Sequence, residues 1–137
     1  MDGGFVVKDK LLEGSEAFST VLGQYALLID NGFARPNTPW NSKHRVMYIS
    51  DGEKIACGIV YATDLIAGKG WFLFSFTLAE YRRQGLYTSL RATLEKKLEE
   101  LGITEIGSHV HVANVVQIAV CAAVGSEPEF IRMTKTL

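Results

Sequence analysis

The stretch that most constrains this chain is Tyr81-Arg82-Arg83-Gln84-Gly85-Leu86-Tyr87-Thr88, because of what lies on either side of it. Before it runs Gly70-Trp71-Phe72-Leu73-Phe74-Ser75-Phe76-Thr77-Leu78, apolar at most places, which reads as a strand. After it, Leu90, Leu94, Leu98 and Leu101 recur at helical spacing, with Arg91, Lys96, Lys97, Glu99 and Glu100 expected on the outside and Gly102 as the stop. A short loop from a strand into a helix leaves several backbone N–H groups without partners. Those donors, the helix dipole and two arginines suit an anion such as a diphosphate. Gly85 lets the main chain approach that anion closely, since no Cβ stands in the way.

The flanking elements follow from local patterns. A short strand is expected at Phe5-Val6-Val7-Lys8. Ser15 is expected to cap a helix running to about Asp30, with Phe18, Leu22, Tyr25 and Ile29 on its apolar face and Asn31-Gly32 as its stop. Residues 34–42, with two prolines, read as a loop. Arg45-Val46-Met47-Tyr48-Ile49 and residues 55–63 form a hairpin turning at Asp51-Gly52. Beyond Gly102, residues 104–112 read as a strand, 114–124 as a very apolar helix stopped by Gly125, and 130–137 as a last strand. The order is that of a mixed α/β domain around one central sheet. Residues 71–112 should make a right-handed parallel crossover.

Composition narrows the functions. With 137 residues the chain fits one domain, residues 1–137, with a core of its own. A net charge of −1 lacks the basic excess of a nucleic-acid binder. The longest apolar stretch, residues 110–124, is broken by His111, Asn114 and Gln117 and is too short to span a bilayer, so no membrane association is expected. Met1-Asp2-Gly3-Gly4 lacks a basic region followed by an apolar segment, so no signal peptide is expected. Cys57 and Cys121 lie far apart without metal-ligand spacing and read as reduced thiols of a cytoplasmic protein.

The loop, in this order of elements, resembles the GNAT superfamily of N-acetyltransferases. That family carries Arg/Gln-x-x-Gly-x-Gly/Ala between its fourth strand and the next helix, and Arg82, Gly85 and Tyr87 hold the three defining places. Asn114 matches the Asn with which the family opens its following helix. Asp51-Gly52-Glu53-Lys54-Ile55-Ala56-Cys57-Gly58 looks like the family's turn between second and third strands, and Met133-Thr134-Lys135-Thr136-Leu137 like its closing strand. The likeness runs from residue 46 to the C-terminus. It implies a mostly antiparallel sheet with one parallel β-α-β crossover and helices on both faces. Tyr87 departs from the usual small residue. Cys121 stands where the family often has a Tyr acting as general acid, and Ser126 where it often has Phe.

The resemblance also implies roles. Acetyl-CoA would be the acyl donor, with no metal needed. Its diphosphate would lie on the N–H groups of Arg83, Gln84, Gly85, Leu86, Tyr87 and Thr88, beside Arg82. Its pantetheine arm would pair with the backbone of Ser75, Phe76 and Thr77, and Asn114 would adjoin it. His109 lies five residues before Asn114, where relatives that acetylate protein N-termini often carry a Glu. A histidine titrating near neutrality is suited to take a proton from an attacking amine. His111, two residues on, shares its face of the strand, and Glu80 is a second base. Cys121 shares a helical stripe with Asn114 and Gln117 and could protonate a leaving thiolate. Tyr25, Trp40 and Tyr61 serve either the core or an acceptor pocket. Near-neutral charge speaks against a strongly cationic acceptor. The apolar outer face of the last helix suggests a second copy of the chain as cover. The expected function is N-acetylation of a small-molecule or peptide amine. The alternatives are a coenzyme A-binding regulatory or assembly domain without chemistry, or a domain that binds no nucleotide.

Overall fold

The computed structural model describes residues 4–34, 40–108, 115–123 and Gly125. Five strands form one sheet in the order β1-β2-β3-β4-β5: β1 (Val6–Leu11), β2 (Arg45–Ser50), β3 (Ile55–Asp64), β4 (Lys69–Thr77) and β5 (Glu105–Ser108). The first four pair antiparallel, and β5 runs parallel to β4, with Lys69 opposite Glu105 and Phe72 opposite Ser108. The parallel pair is joined by helix α2 (Leu86–Glu100), which is the crossover the strand-loop-helix pattern requires. Helices α1 (Phe18–Asp30) and α3 (Val115–Ala123) complete the described elements.

Both faces of the sheet are covered, and this explains the near-continuous apolar runs of β2, β3 and β4. Val46, Tyr48, Val60, Phe74 and Phe76 pack with Val21 and Tyr25 of α1. Met47, Ile49, Ile59, Tyr61 and Phe72 pack with Leu86, Leu90, Leu94 and Leu98 of α2. Each fully buried leucine contributes about 1.5–3 kcal/mol through burial alone. Residues 101–103 close α2 with paired bonds, Ile103 N–H to Leu98 O and Gly102 N–H to Glu99 O, each 3.0 Å, so Gly102 stops the helix as expected.

Several expectations need correction. Leu101 is half exposed at the end of α2, while Arg91, expected outside, is 4% exposed. Its guanidinium lies 4.9 Å from the Phe72 ring centroid and donates to the Tyr87 hydroxyl at 3.2 Å and Glu95 at 3.4 Å. A cation is tolerated there because its donors and its flat face all find partners. On α1 the buried line is Ala17, Val21 and Tyr25, and Leu22 is exposed. Ser15 does not cap α1. Its hydroxyl donates to Leu12 O at 2.8 Å in a preceding turn, and Ala17 is the cap residue. Strand β1 runs three residues past its expected end. Asp9 is accommodated because Tyr61, Arg45 and Lys97 all donate to it. Tyr61 thus belongs to the core under α2, and Tyr25 and Trp40 pack edge to face, 4.9 Å between centroids, under α1. The expected strand over 130–137, including Met133, lies outside the described residues.

Candidate functional site

The loop after β4 follows from its sequence. Ala79–Tyr81 makes one turn of 3-10 helix, Arg83 takes φ +63°, and Gly85 takes φ +74° as the cap residue of α2. A non-glycine residue at positive φ is strained, and such strain gathers at functional loops. Gly85 accepts its conformation freely, and a Cβ added there would project into open space with nothing within 4 Å. That space is a cavity of about 230 Å³ lined by Thr77, Tyr81, Arg82, Arg83 and residues 85–88. Among the described residues, the N–H groups of residues 83–88 donate to no protein atom. The cavity therefore faces a row of unused donors at the positive end of α2, flanked by two exposed arginines.

Side chains hold the loop in place. Arg82 Nε donates to Thr77 O at 3.2 Å and Gln84 Nε2 to Glu80 O at 3.4 Å. The Tyr81 hydroxyl donates to Asp51, whose other carboxylate oxygen accepts the Glu53 and Lys54 N–H groups at 2.9 and 2.7 Å. The Tyr81 hydrogen bond, then the two backbone donors, holds the Asp51 carboxyl down at about 2, and the same bond pushes the Tyr81 phenol up to about 12. A carboxyl held below its unfolded value stabilises the fold above pH 4, and that stabilisation is lost as pH falls toward 2. Tyr81→Phe should therefore flatten the acid limb of a stability-against-pH curve between pH 4 and pH 2. A wild-type slope in the variant would show that Asp51 does not clamp this loop.

Beyond Phe72, no described part of β5 pairs with β4, so one edge of residues 73–77 is left without a described strand partner. Ser75 and Thr77 present their side chains on the α2 face. Phe76 turns its ring into the opposite core, where it lies so close to Gly58 that a Cβ there would fall 2.7 Å from the ring, so its contribution at this edge is main-chain. Strand β4 also carries one extra residue. Val60 faces Phe74 and Tyr61 faces Phe72, which leaves Leu73 as a bulge. Beside it is a second hollow of about 230 Å³ lined by His44, Ala62, Trp71 and Leu73. Leu73 is four residues back along β4 from Thr77, about 13 Å at strand rise.

The structure brings part of the expected constellation together. Gln117 of α3 reaches Ser75 Oγ at 3.5 Å and Cys121 Sγ at 3.8 Å, so the polar stripe of α3 lies against the open part of β4. Cys121 is buried there. Glu80 sits exposed at the rim, paired with Lys54 at 3.1 Å, and does not line the cavity. His109, His111 and Asn114 lie outside the described residues. His109 follows in sequence Ser108, whose hydroxyl is buried without a hydrogen-bond partner among the described residues. Arg91 and His44 join the neighbourhood without a motif to announce them. Arg91 meets Phe72 and the His44 carbonyl meets Leu12, both across long stretches of sequence, as does Tyr81 when it reaches Asp51 of the expected turn.

The acetyltransferase (GNAT) family model matches residues 17–125. The chain is 31% identical over 124 residues to the uncharacterized N-acetyltransferase YdgE of Bacillus subtilis (strain 168), covering 89% of this chain and 76% of that protein. Its fold is similar to that of the aminoglycoside acetyltransferase meta-AAC0020 from an uncultured soil metagenomic sample, with a TM-score of 0.75 at 12% identity over 99% of this chain and 98% of that one. It is also similar to the aminoglycoside N-acetyltransferase AAC(6')-Iy in complex with CoA, with a TM-score of 0.67 at 14% identity over 96% and 99% of the two chains. Among the described residues no helix is long and apolar enough to cross a membrane.

Proposed function

This chain belongs to the GNAT family of N-acetyltransferases, and from that premise we propose that it transfers an acetyl group from acetyl-CoA to an amine. One observation carries the reading: the cavity at Gly85, beside six consecutive N–H groups without partners among the described residues and two exposed arginines. A diphosphate fits that donor set, and a neighbour of the same fold is known in complex with CoA. With the diphosphate there, an arm running back along β4 would meet the edge at residues 73–77, which has no strand partner among the described residues, and would bring its thioester near Leu73.

The chain's own residues then act by placement. The loop N–H groups and Arg82 and Arg83 hold the donor's charge, and the β4 main chain aligns the arm. The amine nitrogen forms a bond to the acetyl carbon, the carbon–sulfur bond breaks, and one proton leaves nitrogen while the sulfur gains one. His109 takes the first proton and Cys121, beside Gln117, supplies the second. Holding both reactants together supplies most of the rate, and main-chain donors near the bulge stabilise the developing oxyanion.

The test is release of free thiol from acetyl-CoA with a panel of amines, alongside thermal unfolding with coenzyme A. A donor bound at a hundred times its Kd should stabilise the fold by about 2.7 kcal/mol. Thiol release should require an amine, and His109→Ala should lower kcat while keeping the thermal shift. No shift with coenzyme A and no amine-dependent thiol release would overturn the proposal.

A further inference from the structure

We infer that the hollow at His44, Ala62, Trp71 and Leu73 is the acceptor subsite, and that it takes an aromatic or branched apolar monoamine bearing one oxygen that accepts a hydrogen bond. The inference rests on the proposed donor site, since that places the thioester near Leu73, on the rim of this hollow.

Its walls define the ligand. Of the four lining residues among those described, three are apolar and none is acidic, so this wall offers a polycation no counterion. A dry cavity of about 150 Å³ holds a benzene molecule, so about 230 Å³ accommodates a ring with a short arm. The Trp71 indole leans over β5 at Gly107, where a Cβ would come within 2.6 Å of the ring atoms. Glycine at that place leaves room for the indole as an apolar wall of the hollow. The nearby cation, Lys69, stands 5.4 Å from the Trp71 ring centroid and is paired with Glu105 at 3.5 Å.

Among the described lining residues, His44 supplies a polar side chain. Its Nδ1 accepts the Asn41 N–H at 3.0 Å. Its own N–H donates to Asn41 O at 3.1 Å, and its carbonyl accepts the Leu12 N–H at 3.0 Å, so the residue is fixed from both sides. Partial burial lowers its pKa, which keeps the ring neutral at pH 7. With Nδ1 used as an acceptor, the proton of the neutral ring resides on Nε2. His44 therefore offers a donor, which recognises an oxygen, and it has no free lone pair with which to act as a base.

The experiment uses the full chain loaded with coenzyme A for calorimetric binding of tyramine, phenylethylamine and spermidine, and acetyl-CoA for turnover of the same three. Tyramine should exceed phenylethylamine by about tenfold in kcat/KM, the worth of one hydrogen bond, and both should exceed spermidine. His44→Phe should erase the difference between the two aromatic amines, and His44→Gln, which retains a donor, should keep most of it. Ala62→Phe should fill the hollow and raise KM for both aromatic amines more than tenfold, with KM for acetyl-CoA unchanged. Preference for spermidine, no binding of either aromatic amine, or an Ala62→Phe protein with unaltered amine KM overturns the inference while the donor reading stands. A wild-type protein that shows no thermal shift with coenzyme A overturns the donor reading itself, and the subsite with it.

Discussion

Gly85→Asp should raise KM for acetyl-CoA at least a hundredfold and leave the protein folded. The backbone at Gly85 is left-handed, with φ +74°, and it ends the loop as the cap residue of α2. Most side chains cost about 1–2 kcal/mol in that conformation, but Asp and Asn visit it readily. The added Cβ meets nothing, so the core is not disturbed. The carboxylate enters the cavity that the diphosphate is proposed to fill. Two like charges about 4 Å apart at an effective dielectric of about 20 repel by about 4 kcal/mol, a thousandfold in affinity, and solvent at the open rim reduces this. Gly85→Asn separates shape from charge. It places the same volume at the same φ without the charge, and about a tenfold rise is expected from it. The check is KM for acetyl-CoA in both variants, with thermal unfolding of the unliganded proteins as the control for folding. An Asp variant with wild-type KM would place the anion elsewhere.

This loop was legible because its information is local. A strand, a glycine that must take positive φ and the onset of an amphipathic helix are contiguous, and their geometry follows from short-range sterics and orphan N–H groups. The same holds for Leu90, Leu94 and Leu98 on α2, and for the Asp51-Gly52 turn, where the Asp51 carboxylate collects neighbouring N–H groups. What the sequence hid depends on pairing at a distance. Arg91 looks like a surface charge until α2 docks and brings Phe72 beneath its guanidinium. Strand β1 looked short because Asp9 and Lys10 interrupt its apolar pattern, and only the approach of β2, β3 and α2 provides Asp9 with its donors. His44 lay in a turn with no motif. It comes to line a hollow only because the register of β3 and β4 sets Ala62 opposite Trp71. The leucine stripe ends at Leu98, since Leu101 already belongs to the turn that stops the helix.

Asp9→Ala should destabilise the fold by about 3 kcal/mol, because its carboxylate is where β1, β2, β3 and α2 are tied together. Both of its oxygens accept the Tyr61 hydroxyl, at 2.7 and 2.8 Å, Arg45 Nε approaches at 3.3 Å, and Lys97 Nζ completes an ion pair. The Asp9 side chain is 14% exposed and Tyr61 is 2% exposed, so water replaces little of what the phenol loses, while Arg45 and Lys97, at 40% and 38%, are partly rehydrated. Truncation leaves a buried phenol without its acceptor and two cations without their shared counterion, and the cost of stranded groups exceeds the net worth of the bonds removed. At roughly 2–4 °C per kcal/mol for a chain of this size, Tm should fall by about 6–12 °C. Asp9→Asn keeps an acceptor for Tyr61 and should cost less than half as much. Strand β1 lies three strands from β4, about 14 Å away at normal spacing, and Asp9 lines neither cavity. The activity of the folded fraction and KM for acetyl-CoA should therefore stay at wild-type values at a temperature where the variant is folded. A loss under 1 kcal/mol would mean that the cluster behaves as a screened surface pair. A changed KM would mean that β1 reaches the donor site through the sheet.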